Sequence, residues 1–262
     1  MGPGVKHAFY PGYPDNTASP ILSREFSGRA LIELDFSTPD LEIGGLPAID
    51  FFGDGSLYFF SAPGHAIGHI NALARTTDPA SLNSETSTFI LMGADSYHHA
   101  SQLRPHKFFP LPDTIPIPQR TGNAIQKMES GECPGHVFAQ IHPSDKTRKP
   151  HIPTQYAHNM TEHHSESKTT PFFTISQKQT GETVAVDIEA ARATIRALQA
   201  FDADPNILLI SAHDTSLAPV LDYFPRTANQ WKASGWKEQG RWRFLNDLWP
   251  AVELVKDGET DP

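Results

Sequence analysis

The chain has 262 residues, 38% of them apolar, which is enough to bury a sizeable core and excludes a disordered or fibrous protein. Its 21 Lys and Arg against 30 Asp and Glu leave a formal charge of -9, which offers a nucleic-acid backbone no counterion-releasing surface. One cysteine cannot form an internal disulfide, and no run approaches the ~20 apolar residues of a membrane helix, so the expectation is a soluble cytoplasmic protein with neither nucleic acid nor membrane as partner.

Residues 1–50 are turn-rich, with one strand expected over 30–36, where apolar and polar residues alternate. Asp54-Gly55 then marks a hairpin turn, and apolar strands are expected over 56–61 and 88–93. Residues 100–182, rich in Pro and His and poor in periodicity, read as long connecting loops. Asp187 is a good N-cap for a helix over 188–200, whose Ile188, Ala191, Ile195 and Leu198 fall on one face. Asp204-Pro205 ends that helix, and residues 206–211 form a short apolar strand, so the class is α/β. The tail from 226 holds all four tryptophans (Trp231, Trp236, Trp242, Trp249), assigned to core packing around a short helix. Without an internal repeat, residues 1–262 are expected to form a single domain.

Thirteen histidines exceed the needs of an ordinary domain and point to metal or acid-base chemistry. Three expected strands end in a polar residue, where α/β proteins place their sites: His65, Asp95 and His213. Imidazole nitrogen and carboxylate oxygen suit zinc, and an open coordination position lets a bound ion acidify a water. Singly, each also fits a plainer role, as a turn residue, a helix cap or a surface pair. Cys133 sits in a Pro-Gly turn with no orienting acid, and His163-His164 reads as a solvated pair. Phe59, Phe60, Phe172 and Phe173 are assigned to the core.

The surrounding residues turn the odds toward a site. The run Ser61-Ala62-Pro63-Gly64-His65-Ala66-Ile67-Gly68-His69 closely resembles the Ala-Pro-Gly-His-x-x-Gly-His segment of the metallo-β-lactamase superfamily, in particular its N-acyl-homoserine-lactonase branch. Met92-Gly93-Ala94-Asp95 is similar to the segment whose carboxylate bridges two metal ions, and Leu208-Leu209-Ile210-Ser211-Ala212-His213 to the strand that delivers the last ligand. The stretches from Asp95 to Arg104-Pro105 and over Phe201-Asp202-Ala203-Asp204 look most like fungal lactamase-like proteins.

The resemblance, strongest over 50–220, implies His65, Asp95 and His213 as ligands of a two-zinc centre and His69 as a support behind it. It implies catalytic roles for Asp95 and for His98, which stands where the lactonases carry a substrate-polarising Tyr; Tyr97, one place earlier, is the other candidate. The implied reaction is hydrolysis of a small lactam or lactone, in xenobiotic (benzoxazolinone-type) or secondary-metabolite degradation. The family's His-x-His-x-Asp-His signature is absent from the chain and is expected upstream of residue 1. An αββα metallo-β-lactamase-like sandwich, N-terminally truncated, is therefore expected, with a partner chain or oligomer covering the exposed sheet. The alternatives are an inactive pseudoenzyme, or a binding subunit whose partner chain completes the site. Ser211-Ala212-His213-Asp214-Thr215 also resembles a histidine acid phosphatase motif, but the Arg-His-Gly which that family needs is missing.

Overall fold

The computed structural model describes residues 1–39, 41–78, 87–116, 132–134, 138–139, 141–143, 168–175 and 183–252. The side chain of Cys133 and the His163-His164 pair lie outside the described residues.

Two short helices, α1 (Val5–Phe9) and α2 (Ser23–Phe26), precede the sheet. Strand β1 (Leu41–Ile43) turns directly into β2 (Leu46–Asp50) through Gly44 and Gly45, whose φ of 62° and 80° supply the left-handed pair a tight hairpin needs. The next connection is closed by the Asp50 carboxylate, which accepts the N–H groups of Gly53 and Gly55 at 3.0 and 2.8 Å. It leads into β3 (Leu57–Ser61), followed by β4 (Ile70–Arg75) and β5 (Phe89–Met92), each antiparallel to the strand before. A small antiparallel pair, β6 (Thr114–Pro116) and β7 (Glu132–Pro134), lies in the connection that follows.

Helix α3 (Ile188–Ala203) is capped by the Asp187 carboxylate, which accepts the Ala190 N–H at 2.9 Å. Strand β8 (Ile207–Ile210) then joins β5 in parallel, with Ile90 opposite Leu208. The large sheet has the order β1-β2-β3-β4-β5-β8. A mixed α/β protein with a six-stranded sheet and few helices results, in the class expected.

One face of the sheet buries Ala48, Phe60, Leu73, Leu91 and Leu209 against Ala191, Ile195, Leu198 and Phe201 of α3. The α3 side of this core rests on the 3-4-3 spacing of its apolar residues. Alternate residues of β5 and β8 face the other way, where Leu208 packs with Trp231 and with Trp236 of α4 (Trp236–Gly240). β8 is apolar throughout because both of its faces are covered. A second cluster gathers Leu111, Phe138, Phe172, Phe244 and Trp249. Three of the four tryptophans are thus buried, Phe60 and Phe172 are buried, and Phe59 and Phe173 are half-buried.

The strand expected over 30–36 does not form. The segment belongs to no strand, and among the described residues its ladder-like bonds are to Met1, whose ammonium donates to the Ile32 carbonyl and whose carbonyl accepts the Leu34 N–H, both at 2.9 Å. Ile32 stays largely exposed, so the alternation has no core to face.

Candidate metal centre

The sheet topology brings three distant residues to one edge. Because β3 and β4, and β4 and β5, are antiparallel while β5 and β8 are parallel, strands β3, β5 and β8 run in the same direction. Their C-terminal ends deliver His65, Asp95 and His213 to the same rim, where open α/β sheets form their clefts.

Each loop is held by the elements around it. The His65 loop rests on the first turn of α3: the Asp187 and Val186 N–H groups donate to the carbonyls of Gly64 and His65 at 2.9 and 3.1 Å, and Thr194 Oγ1 donates to the Pro63 carbonyl at 2.8 Å. Gly64, at φ 126°, permits this approach, since a Cβ there would fall 2.1 Å from the Ala191 backbone nitrogen. The Asp95 loop passes through Ala94 at φ 43°, the one non-glycine residue with positive φ among the described residues. Such a conformation costs about 1–2 kcal/mol. It is held by the Ala212 N–H and the Ser211 hydroxyl, which donate to the Ala94 carbonyl at 2.9 and 3.0 Å. The Ser211 hydroxyl also reaches the Tyr97 carbonyl at 2.6 Å, so the loop that carries His213 braces the loop that carries Asp95.

The Asp95 carboxylate spans two imidazoles, with Oδ1 3.0 Å from His213 Nε2 and Oδ2 3.5 Å from His65 Nε2. The His98 ring stands beside both, its centroid 5.0 Å from that of His65 and 4.8 Å from that of His213. One donor atom from each of Asp95, His98 and His213 lies within 4.8 Å of the others. Behind them the Asp95 N–H donates to His69 Nε2 at 3.2 Å, so the His69 proton sits on Nδ1 and is donated to the Ala62 carbonyl at 2.9 Å. Both His69 nitrogens are thus used, and the ring fixes the Asp95 backbone instead of facing the rim.

Burial holds His65, His69 and His98 below the ordinary imidazole range. For His65 the Asp95 carboxylate opposes the shift, and for His98 the charges of His65 and His213 add to it. Imidazoles that stay neutral keep a lone pair, which ligation requires. The donor set fits a borderline divalent ion: three imidazoles and a carboxylate, with His65 Nδ1 buried without a partner among the described residues and its Nε2 too far from Asp95 for a good hydrogen bond.

Tyr97 is corrected as a candidate. It is buried in the α3 core, its hydroxyl has no hydrogen-bond partner among the described residues, and burial pushes its pKa up, so it cannot reach a substrate at the rim. His99 turns away, with Nε2 3.2 Å from Asp247.

Comparison with known proteins returns fungal relatives. The chain is 36% identical over 254 residues, 96% of its length, to the metallo-hydrolase mfmC of Annulohypoxylon moriforme. It is 36% identical over its full length to the gamma-lactamase FDB1 of Fusarium pseudograminearum. The chain is thus similar to metallo-β-lactamase-like fungal proteins. A stretch of 152 residues, 57% of this chain, is 41% identical to 58% of the gamma-lactamase MBL2 of Gibberella moniliformis. The chain spans about half the length of the curated relatives it matches, 56% of the first and 55% of the second. No family model matches it, and no solved structure does.

Sequence reasoning missed Ser211, whose hydroxyl ties the two rim loops, and Asn71, which is buried in β4 and accepts from the Ser96 hydroxyl at 3.0 Å. For Ser211 the position two residues before His213 was the available signal. For Asn71, a polar residue inside an apolar run, there was none.

Proposed function

We propose that the chain contributes His65, Asp95 and His213 to the zinc centre of a hydrolase that opens a cyclic amide or ester, a small lactam or lactone, in fungal xenobiotic or secondary-metabolite breakdown. The observation that carries this reading is one carboxylate spanning two imidazoles at the shared C-terminal edge of β3, β5 and β8. Relatives named as a metallo-hydrolase and as gamma-lactamases support it. A bound divalent ion supplies Lewis acidity toward a carbonyl and a water with a pKa near neutrality. The chain's own residues do the placing. His69 fixes the backbone of Asp95, α3 fixes the His65 loop, and Ser211 ties the loops of His213 and Asp95, so the donors are set before substrate arrives.

The same reading assigns the face of β2–β4 opposite α3. Register places Ile49, Phe59 and Ala72 there, half-buried, with Met92 at the end of the adjoining β5 and with Phe51 and Phe52 exposed beside them. A second sheet layer, from the same polypeptide or from a partner chain, completes an αββα sandwich on that face.

The test is ring opening of γ-lactams and γ-lactones by zinc-loaded protein. Turnover is expected to vanish on chelation, to return with zinc and to be absent in Asp95→Ala. Turnover that survives chelation, or none on any such ring with metal bound, overturns the proposal.

A further inference from the structure

Hydrogen bonding accounts for only part of the crowding at the rim. Asp95 Oδ1 meets His213 at 3.0 Å, and His69 is satisfied at both nitrogens. The half-buried His98 is different. Its backbone N–H donates to Gln102 Oε1 at 2.8 Å, but among the described residues its ring makes no hydrogen bond, although it lies against two imidazoles and a carboxylate. Partly desolvated ring nitrogens left unpaired cost free energy unless something engages their lone pairs. Three ring centroids spaced at about 5 Å beside one carboxylate have the composition of a cation site rather than of a packed core.

The backbone around His98 is also fixed. Gln102 takes the His98 N–H, and the Ser211 hydroxyl takes the carbonyl of the preceding Tyr97 at 2.6 Å, while Tyr97 itself is sunk in the core. This bracing leaves the ring its χ angles and little else. The donor atoms of Asp95, His98 and His213 lie within 4.8 Å of one another, and donors on one tetrahedral zinc ion stand about 3.3 Å apart. A side-chain adjustment of under an ångström per residue closes that gap.

We propose that His98 is a ligand, the third donor beside Asp95 and His213, so that this chain by itself holds one divalent transition-metal ion and leaves a fourth position open. The inference rests on the metal-centre reading above and goes beyond it. The resemblance assigned His98 to a substrate carbonyl, and a ring nitrogen engaged with an ion cannot at the same time serve a substrate. Three protein ligands with an open position is the composition of catalytic rather than structural zinc sites.

The test is metal affinity of the purified 262-residue chain after chelator stripping. Zinc is followed by competition with a chromophoric chelator and cobalt by its visible absorption, with far-UV circular dichroism as the check on folding. The wild-type chain is expected to bind an ion. His98→Phe, which keeps a ring but no donor, is expected to lose more than the about 10- to 100-fold that removal of an outer-shell partner costs. His98→Asp, which returns a donor, is expected to recover part of the loss and to give a cobalt spectrum of altered shape. Should His98→Phe lose its native dichroism, His98→Ala carries the comparison. Affinity within tenfold of wild type in the donor-free variant overturns the inference and leaves the metal-centre reading standing. A wild-type chain that binds neither ion also overturns the inference, while the metal-centre reading is judged by the turnover test above.

Discussion

His69 makes the plainest case for how a residue that touches nothing reactive shapes the rim. Its Nε2 accepts the Asp95 N–H and its Nδ1 donates to Ala62 at the end of β3, so one ring links the loops that carry Asp95 and His65. Burial holds it below the ordinary imidazole range, which preserves the neutral tautomer that both bonds require. Replacing it with Ala removes both bonds and leaves the Ala62 carbonyl and the Asp95 N–H without these partners. The expected result is a folded protein whose zinc affinity falls by about 10- to 100-fold, measured by chelator competition. Unchanged affinity in His69→Ala means that the ring is packing and nothing more.

At the scale of elements, the loop after β5 is tied to the end of α3 by a buried ion pair. Arg104 donates through Nε to Asp202 Oδ2 at 2.8 Å and through Nη2 to Oδ1 at 2.5 Å, and through Nη1 to the Arg241 carbonyl at 2.8 Å. The buried His106 ring stands 3.1 Å from the same carboxylate. Burial alone would raise the Asp202 pKa, but the Arg104 charge and its hydrogen bonds outweigh it and hold the carboxyl well below the usual range. Asp202→Asn is expected to cost about 3–5 kcal/mol in denaturant unfolding, because the Arg104 charge is then buried without its partner. A carboxyl with a lowered folded-state pKa stabilises above its unfolded value of about 3.9, and that stability is lost as the pH falls through the folded value. The wild type is therefore expected to lose stability below pH ~4 with a slope that Asp202→Asn lacks. Equal acid slopes in the two proteins mean that the pair does not carry this linkage.

The same element shows what the sequence discloses and what it withholds. Helix α3 was readable from its cap and its spacing, and β3, β5 and β8 from short apolar runs, so the strand ends bearing His65, Asp95 and His213 could be located. Strands β1, β2 and β4 were not readable. β2 contains Pro47, and β4 carries the buried Asn71 where alternation asks for an apolar residue. The strand expected over 30–36 had the right alternation but no sheet to join, since strand propensity is realised only against a neighbour. The placing of the His98 ring against two imidazoles and the tie through Ser211 depend on loop geometry, on which sequence spacing is silent.

The sheet as a whole is asymmetric, and this bears on how the molecule behaves in solution. Among the described residues α3 covers one face from β2 to β8, and Trp231 and Trp236 cover the other face at β5 and β8. Over β2–β4 that second face keeps Ile49 and Phe59 half-buried, Met92 at the end of β5 is exposed beside them, and Phe51 packs edge-on against both Phe52 and Phe59 to extend the apolar area. A contiguous apolar surface of this kind drives association until something covers it. If a second sheet layer belongs there, the isolated chain should bind a hydrophobic dye and sediment as oligomers, and replacing the exposed Phe52 and Met92 with Ser should shift it toward monomer. The rim donors lie on loops held by α3 and β8, so the same double variant should keep the zinc affinity of the parent. A wild-type chain that is monomeric and dye-free would show that residues of its own already shield this face, and the sandwich proposal would lose its structural motive.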